Sequence, residues 1–382
     1  MVRRSRGLTL HGPITIVRRI AARQGGGWIF RCDPPPAPRR VSFPLDAVVA
    51  ADPRSKGDVE PLVRLAKSDM AAVDALIIAR MQSQVPVIPL LADHLVSAGG
   101  KRLRPLLTLA AARASGAAGE IDAAVKLAAA VEFIHTATLL HDDIVDASDL
   151  RRGKTAAHLI WGAPSSVLVG DFLFARAFEL MVETGQMRAL GILARASSVI
   201  AEGEVLQLTR AHDLNLDQDT YLRIISAKTA ELFAAAAESG AVGAGAGEAA
   251  VQALRDYGLN LGLAFQLADD ALDYGGMSED LGKNAGDDFR EGKVTMPLLL
   301  AAARTRGRED AFWDRTINKG QRTEDDFRRA RELVIGSGAV GATLDTAHEY
   351  ADAAKASLTA LPAGDWVDAL EQLADFAVSR AA

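Results

Sequence analysis

Two short stretches of this chain carry six aspartates: Asp142, Asp143 and Asp146 in DDIVD, and Asp269, Asp270 and Asp273 in DDALD. Residues four apart share one face of a helix, so Asp142 stands over Asp146 and Asp269 over Asp273. Each stretch therefore offers a two-carboxylate claw. Both claws lie in apolar surroundings, the first among Leu139, Leu140, Ile144 and Val145, the second inside AFQLADDALDY. A solvated polar face is a poor reading of them. Carboxylates grouped at a helix C-terminus oppose the macrodipole, repel one another, and are costly to bury unpaired. Something positive must lie between them. Hard oxygen donors with no His or Cys in the cluster suit Mg2+, which keeps much of its water and is usually shared with substrate phosphates.

The basic residues point the same way. GGKRLRP places Lys101, Arg102 and Arg104 at a helix start, where the helix N-terminus also favours anions. LRRGK supplies Arg151 and Arg152 just after the first claw, Lys228 lies in SAKTAELF, and Lys283 and Lys293 follow the second claw. Any one of these alone reads as a solvated surface charge. With the six aspartates they describe a site for two polyanions, one held through metal and one directly by Lys and Arg.

The elements that must position these groups are helices. Only 5% of the 382 residues are aromatic while alanine is abundant, which favours helices packed through small side chains. Helical periodicity starts near Asp58, where DVEPLVRL reads as an Asp N-cap with a proline in the first turn. It recurs over 103–114, 121–146, 165–182, 187–209, 218–239, 248–274, 295–304, 324–335 and 340–361, with glycine or proline at most joins. No strand alternation of useful length occurs. The expectation is an all-α domain over residues 56–382, with ten or more helices and room to enclose a cavity.

Composition excludes other classes. A net charge of -6 without a basic stripe argues against a nucleic-acid partner. The single cysteine, Cys32, permits no intramolecular disulfide and no Cys-based zinc site, which fits a reducing, cytoplasmic location. No apolar run reaches the ~18 residues needed to span a bilayer, so no transmembrane segment is expected, although contact with a membrane surface is compatible. Residues 1–55 differ from the rest, with nine arginines against the one acid Asp33 before position 41. They read as a dispensable N-terminal extension.

The ordered set GGKRLRP, DDIVD with RRG, GEVLQL, KTAELF, FQLADDALD and GK with EGK resembles the trans-isoprenyl (polyprenyl) diphosphate synthase family, from about Val63 through Leu300. The resemblance implies an all-helical homodimer with a deep central cavity in each protomer, joining an allylic diphosphate to isopentenyl diphosphate with three Mg2+. Carried over by motif position, it makes Asp142, Asp146 and Asp269 the principal metal ligands. Asp143, Asp270 and Asp273 would bind directly or through metal waters. Arg151, Lys228 and Lys283 would grip the allylic diphosphate, while Lys101, Arg104, His135 and Arg152 would hold isopentenyl diphosphate. Thr229 and Gln266 match positions at the reaction centre, and Lys293 aligns with variable spacing after Lys283. His135, two turns before Asp142, can face the same cavity.

Short-chain relatives carry aromatics four or five residues before the first aspartate. Ala137 and Thr138 stand there in this chain, which predicts an open passage and a long product. An isoprene unit extends about as far as one ~5.4 Å helical turn, so a floor several turns down permits many additions. By likeness to octaprenyl- and decaprenyl-type enzymes, Met181 and Leu193 are candidate floor residues, and a quinone side chain of about C40–C50 is the expected product. A terpene cyclase needs no GGKRLRP. A non-catalytic subunit of a heteromeric synthase tolerates loss of the claws, and both are intact.

Overall fold

Alanine-rich segments separated by glycine and proline fold as helices whose small faces pack closely. The computed structural model describes residues 57–97, 102–151, 153–275 and 286–379. The proposed extension 1–55 and the site candidates Lys101, Arg152 and Lys283 lie outside the described residues. Among those described, sixteen α-helical segments are joined by short loops, and one two-residue ladder pairs β1 (Leu150–Arg151) with β2 (Lys154–Thr155) antiparallel. The architecture is all-α.

The helices are α1 (Glu60–Arg80), α2 (Val87–Ser97), α3 (Leu103–Ala114), α4 (Asp122–Val145), α5 (Ala157–Trp161), α6 (Ala163–Glu183), α7 (Met187–Thr209), α8 (Gln218–Ile225) and α9 (Glu231–Gly243). They continue as α10 (Glu248–Gly275), α11 (Asp287–Glu291), α12 (Met296–Arg304), α13 (Asp310–Trp313), α14 (Glu324–Gly336), α15 (Ala339–Ser357) and α16 (Asp365–Ser379). The periodicity reading places the long helices and misses the shorter α2, α5, α11 and α13. It also misses α16, whose acidic first turn and alanines conceal a buried face through Leu370, Leu373 and Phe376. At the start of α1 the structure corrects the capping assignment. Val59, not Asp58, is the N-cap, and the Asp58 carboxylate accepts the Glu60 N–H from one residue further out at 2.9 Å.

Two long helices form the centre. α4 packs on α3, α6 and α9, and α10 packs on α9, α15 and α16. Leu127 and Leu140 of α4 are fully buried, each contributing about 1.5–3 kcal/mol of transfer free energy. By length and composition α4 is apolar enough to cross a membrane, yet 56% of its most apolar window is buried inside the protein. It is the core helix, and its apolarity serves packing.

Between α8 and α9 the chain widens into a π-helical turn, Ser226–Ala230. Such turns insert an extra residue and redirect side chains, often at functional sites. Two glycines make room for it. A Cβ on Gly203 of α7 would fall 2.7 Å from the Ala227 Cβ, and one on Gly262 of α10 would fall 2.5 Å from the Ala230 Cα. The turn is thus pressed between α7 and α10, and Lys228 and Thr229 point where a regular helix would not send them.

Candidate active site

The first claw ends α4. Asp142 and Asp143 occupy the last turn and Asp146 is the C-cap, where the helix dipole disfavours negative charge. Cations answer it. Arg151 on β1 donates its Nε to Asp143 Oδ1 at 2.8 Å, and Lys293 donates its Nζ to Asp146 Oδ2 at 2.8 Å. Burial pushes the Asp142 carboxyl up to about 6, with Lys228 and Arg151 pulling it down and Glu204 and Asp146 pushing it further. Lys228, on the π turn, is itself held by Glu204 of α7 at 2.8 Å.

The second claw occupies the last two turns of α10, which ends at Gly275. Asp270 is 3% exposed, and both its oxygens accept hydrogen bonds, one from the Tyr221 hydroxyl and the other from Gln266 Nε2 at 2.7 Å. Gln266 Oε1 in turn accepts from Thr229 Oγ1 at 2.8 Å. One chain of hydrogen bonds therefore runs from the π turn through Gln266 and Asp270 to α8. Asp273 Oδ1 accepts the Gly286 N–H at 3.0 Å. Burial is the main force raising Asp273, to about 8, and Asp288 adds to it. Asp270 is raised for the same two reasons, against the pull of Tyr221 and Gln266.

Lys293 connects the first claw to a charge that also acts on the second. Burial alone would lower its ammonium, but the charges of Asp146, Asp288 and Glu291 outweigh that and raise it. Asp288 on α11 is the same residue whose charge reaches Asp270 and Asp273. Both claws thus share one electrostatic neighbourhood.

Among the described residues no group of three or more His, Cys, Asp or Glu side chains could by itself enclose a metal. The donor set still fits Mg2+. Asp143 Oδ2 and Asp273 Oδ2 are buried without a hydrogen-bond partner, leaving hard oxygen donors in need of a cation. Paired carboxylates that leave most positions to water and phosphate are how Mg2+ is usually held.

At the other end Arg104 and His135 meet: Arg104 Nη1 lies 3.2 Å from His135 Nε2, and the guanidinium sits 4.5 Å above the Phe233 ring. Of the chain-length candidates, Ala137, Met181 and Leu193 have no accessible surface, while Thr138 is half-buried and donates to the His135 carbonyl at 2.8 Å. Thr138 lies one turn before Asp142 on its face; Ala137 does not. Sequence reasoning missed Glu204, although GEVLQL contains it. It also missed Tyr221 and Asp288, which no motif spacing marks.

Known proteins resemble the chain over most of its length. The family model described as Polyprenyl synthetase matches residues 85–334. Octaprenyl diphosphate synthase of Escherichia coli (strain K12) is 45% identical over 323 residues, covering 85% of this chain and 99% of the relative. A polyprenyl synthase from Caulobacter crescentus CB15, solved in complex with calcium and isoprenyl diphosphate, is 72% identical with a TM-score of 0.84, over 86% of this chain and 100% of that one. A decaprenyl diphosphate synthase from Rhodobacter capsulatus is 53% identical with a TM-score of 0.81, over 85% and 100%.

Proposed function

Since the chain belongs to the polyprenyl synthetase family and is a long-chain polyprenyl diphosphate synthase, a prenyltransferase, we propose that its two claws hold an allylic diphosphate through Mg2+ for repeated addition of isopentenyl diphosphate. The observation that carries this reading is Lys293, paired with Asp146 and sharing Asp288 with the second claw. Asp142, Asp146 and Asp269 are assigned as principal ligands. Asp143, anchored by Arg151, and Asp270, anchored by Tyr221 and Gln266, set the claws from behind and reach the ions directly or through water, as does Asp273. When bound, Mg2+ supplies positive charge to the diphosphate oxygens as the allylic C–O bond breaks.

The chain's own groups do the rest. Arg151, Lys228 and Lys283 hold the departing diphosphate. Lys101, Arg104, His135 and Arg152 hold isopentenyl diphosphate. Thr229 and Gln266, fixed by their mutual hydrogen bond, orient the reaction centre, and the apolar flank of α4 keeps water from the allylic cation. The isopentenyl double bond attacks that cation, and the proton then lost goes to the released diphosphate.

Ala137 and Thr138, standing where short-chain relatives carry aromatics, leave the passage along α4 open, which supports an all-trans product of about eight to ten units, at one ~5.4 Å turn each, for a quinone side chain. Val167, Leu168, Phe178 and Val182 leave an apolar face of α6 exposed, which supports a homodimer. Residues 1–55 are a dispensable extension to a single domain over 56–382. A cytoplasmic location suits the single cysteine, with peripheral membrane contact for release of an apolar product.

The test is incubation of the purified chain with farnesyl diphosphate, isopentenyl diphosphate and Mg2+, followed by chromatography of the product. A C40–C50 product is the expected outcome. An end point of C15 or C20 overturns the open-passage argument, and turnover only with an added partner favours a heteromeric subunit.

A further inference from the structure

Behind the Arg104–His135 pair lies a second joint between the same two helices. Arg102, the N-cap of α3, has φ 48° and ψ 32°, the left-handed region that glycine adopts freely and other residues avoid. Glycines 99 and 100 precede it, yet the left-handed position holds an arginine. Its side chain shows why the conformation persists. Arg102 Nη1 donates to Glu132 Oε1 of α4 at 3.2 Å, and the two side chains are only 14% and 11% exposed. Asp74 of α1, 8% exposed, lies where the charges of both Arg102 and Glu132 act on it, and its Oδ1 is buried without a hydrogen-bond partner. The Arg102–Glu132 pair and a second buried carboxylate that feels both charges thus lie where α1, α3 and α4 pack together. Neutralising Glu132 removes the charge-assisted hydrogen bond that holds Arg102.

The spacing links this cluster to the site. Glu132 stands three residues before His135 on one face of α4, and Arg104 stands two residues after Arg102. The closed joint, Arg102–Glu132, thus fixes the register of the open one, Arg104–His135. We propose that Glu132, with Asp74 behind it, is a positioning residue that clamps Arg102 in its left-handed conformation and so presents Arg104 and His135 to the second diphosphate. This rests on the reading that those two residues hold isopentenyl diphosphate.

The experiment is steady-state kinetics of the full chain with Mg2+, varying each substrate in turn, with calorimetric binding of isopentenyl diphosphate and thermal melting alongside. Glu132→Gln is expected to raise KM for isopentenyl diphosphate about ten-fold while kcat and KM for the allylic substrate change less than about two-fold. Adding Arg102→Gly to that variant restores KM to within about three-fold of wild type, because glycine holds this backbone without a clamp. An unchanged KM, equal loss for both substrates, or no rescue by glycine overturns the inference. If Glu132→Gln yields no folded protein, Asp74→Asn is expected to show the same split at smaller size, and equal loss for both substrates there overturns it too. A wild-type chain that makes no product or binds no isopentenyl diphosphate removes the underlying reading instead, and the inference with it.

Discussion

The two claws have the same spacing and different direct partners. The first ends a helix and is met by cations: Arg151 on Asp143, Lys293 on Asp146, and Lys228 acting on Asp142. The second lies within α10, and the partners found for Asp270 and Asp273 among the described residues are neutral donors, a tyrosine hydroxyl, a glutamine amide and a backbone N–H. Asp288 adds another negative charge there. The first claw is compensated by cations, whereas burial raises Asp270 and Asp273 and so favours their protonated forms. The lesson is a division of labour. The first claw is prepared for diphosphate by cations already in place, and the second has the most to gain from a divalent ion.

The largest expected effect comes from removing either claw. Asp142→Ala and Asp269→Ala should each lower turnover by about three orders of magnitude or more while the far-ultraviolet circular dichroism stays helical. If one of them retains near-normal turnover, the claws do not serve one reaction. Lys293→Met, which removes the link, should lower kcat/KM by about ten- to a hundred-fold. A loss no larger than for an exposed lysine such as Lys319 would mean that the two clusters act independently.

A smaller effect sharpens the contrast without any assay of turnover. Asp142 and Asp273 have folded values raised to about 6 and about 8, above the ordinary carboxylate value. Between those limits the folded protein binds more protons than the unfolded one. Metal-free protein should therefore lose stability as pH rises from about 4 to about 8. Calorimetric melting should show this slope, Mg2+ should flatten it, and Asp273→Asn should remove its upper part. A flat profile without metal would contradict the raised values. Asp326, remote from the site, behaves with the opposite sign. Hydrogen bonding to Arg315 holds it at about 2, so its contribution is present above about 4 and lost toward pH 2.

Thr138→Phe, on the face of Asp142, should shorten the product by several units, read by chromatography. Ala137→Phe, at a position with no accessible surface, should add a stability loss of about 1–3 kcal/mol. If Ala137→Phe shortens the product and Thr138→Phe does not, the passage runs along the other face of α4. The smallest effect is a control. Thr323→Ala breaks the capping box of α14 and should cost about 1 kcal/mol in denaturant unfolding with turnover unchanged.

Local information alone was enough for the helix type and extent of α3, α4, α7 and α10, because each has an apolar face at helical spacing and a glycine or proline near its end. The same spacing made both claws legible, since i and i+4 share a face whatever the surroundings. The roles of Thr229, Gln266, Arg104 and His135 were read only through family likeness, and their pairing came from the structure. Their partners come from helices far apart in the chain.

What the amino-acid order determined is thus which groups can act: six aspartates on two helices, with basic residues after each. What tertiary structure decided is which of them are compensated. Burial and opposite charge depend on distance in space, and residues such as Glu204, Tyr221 and Asp288 reach the site only because α7, α8 and α11 are packed or folded back against α10 and the π turn.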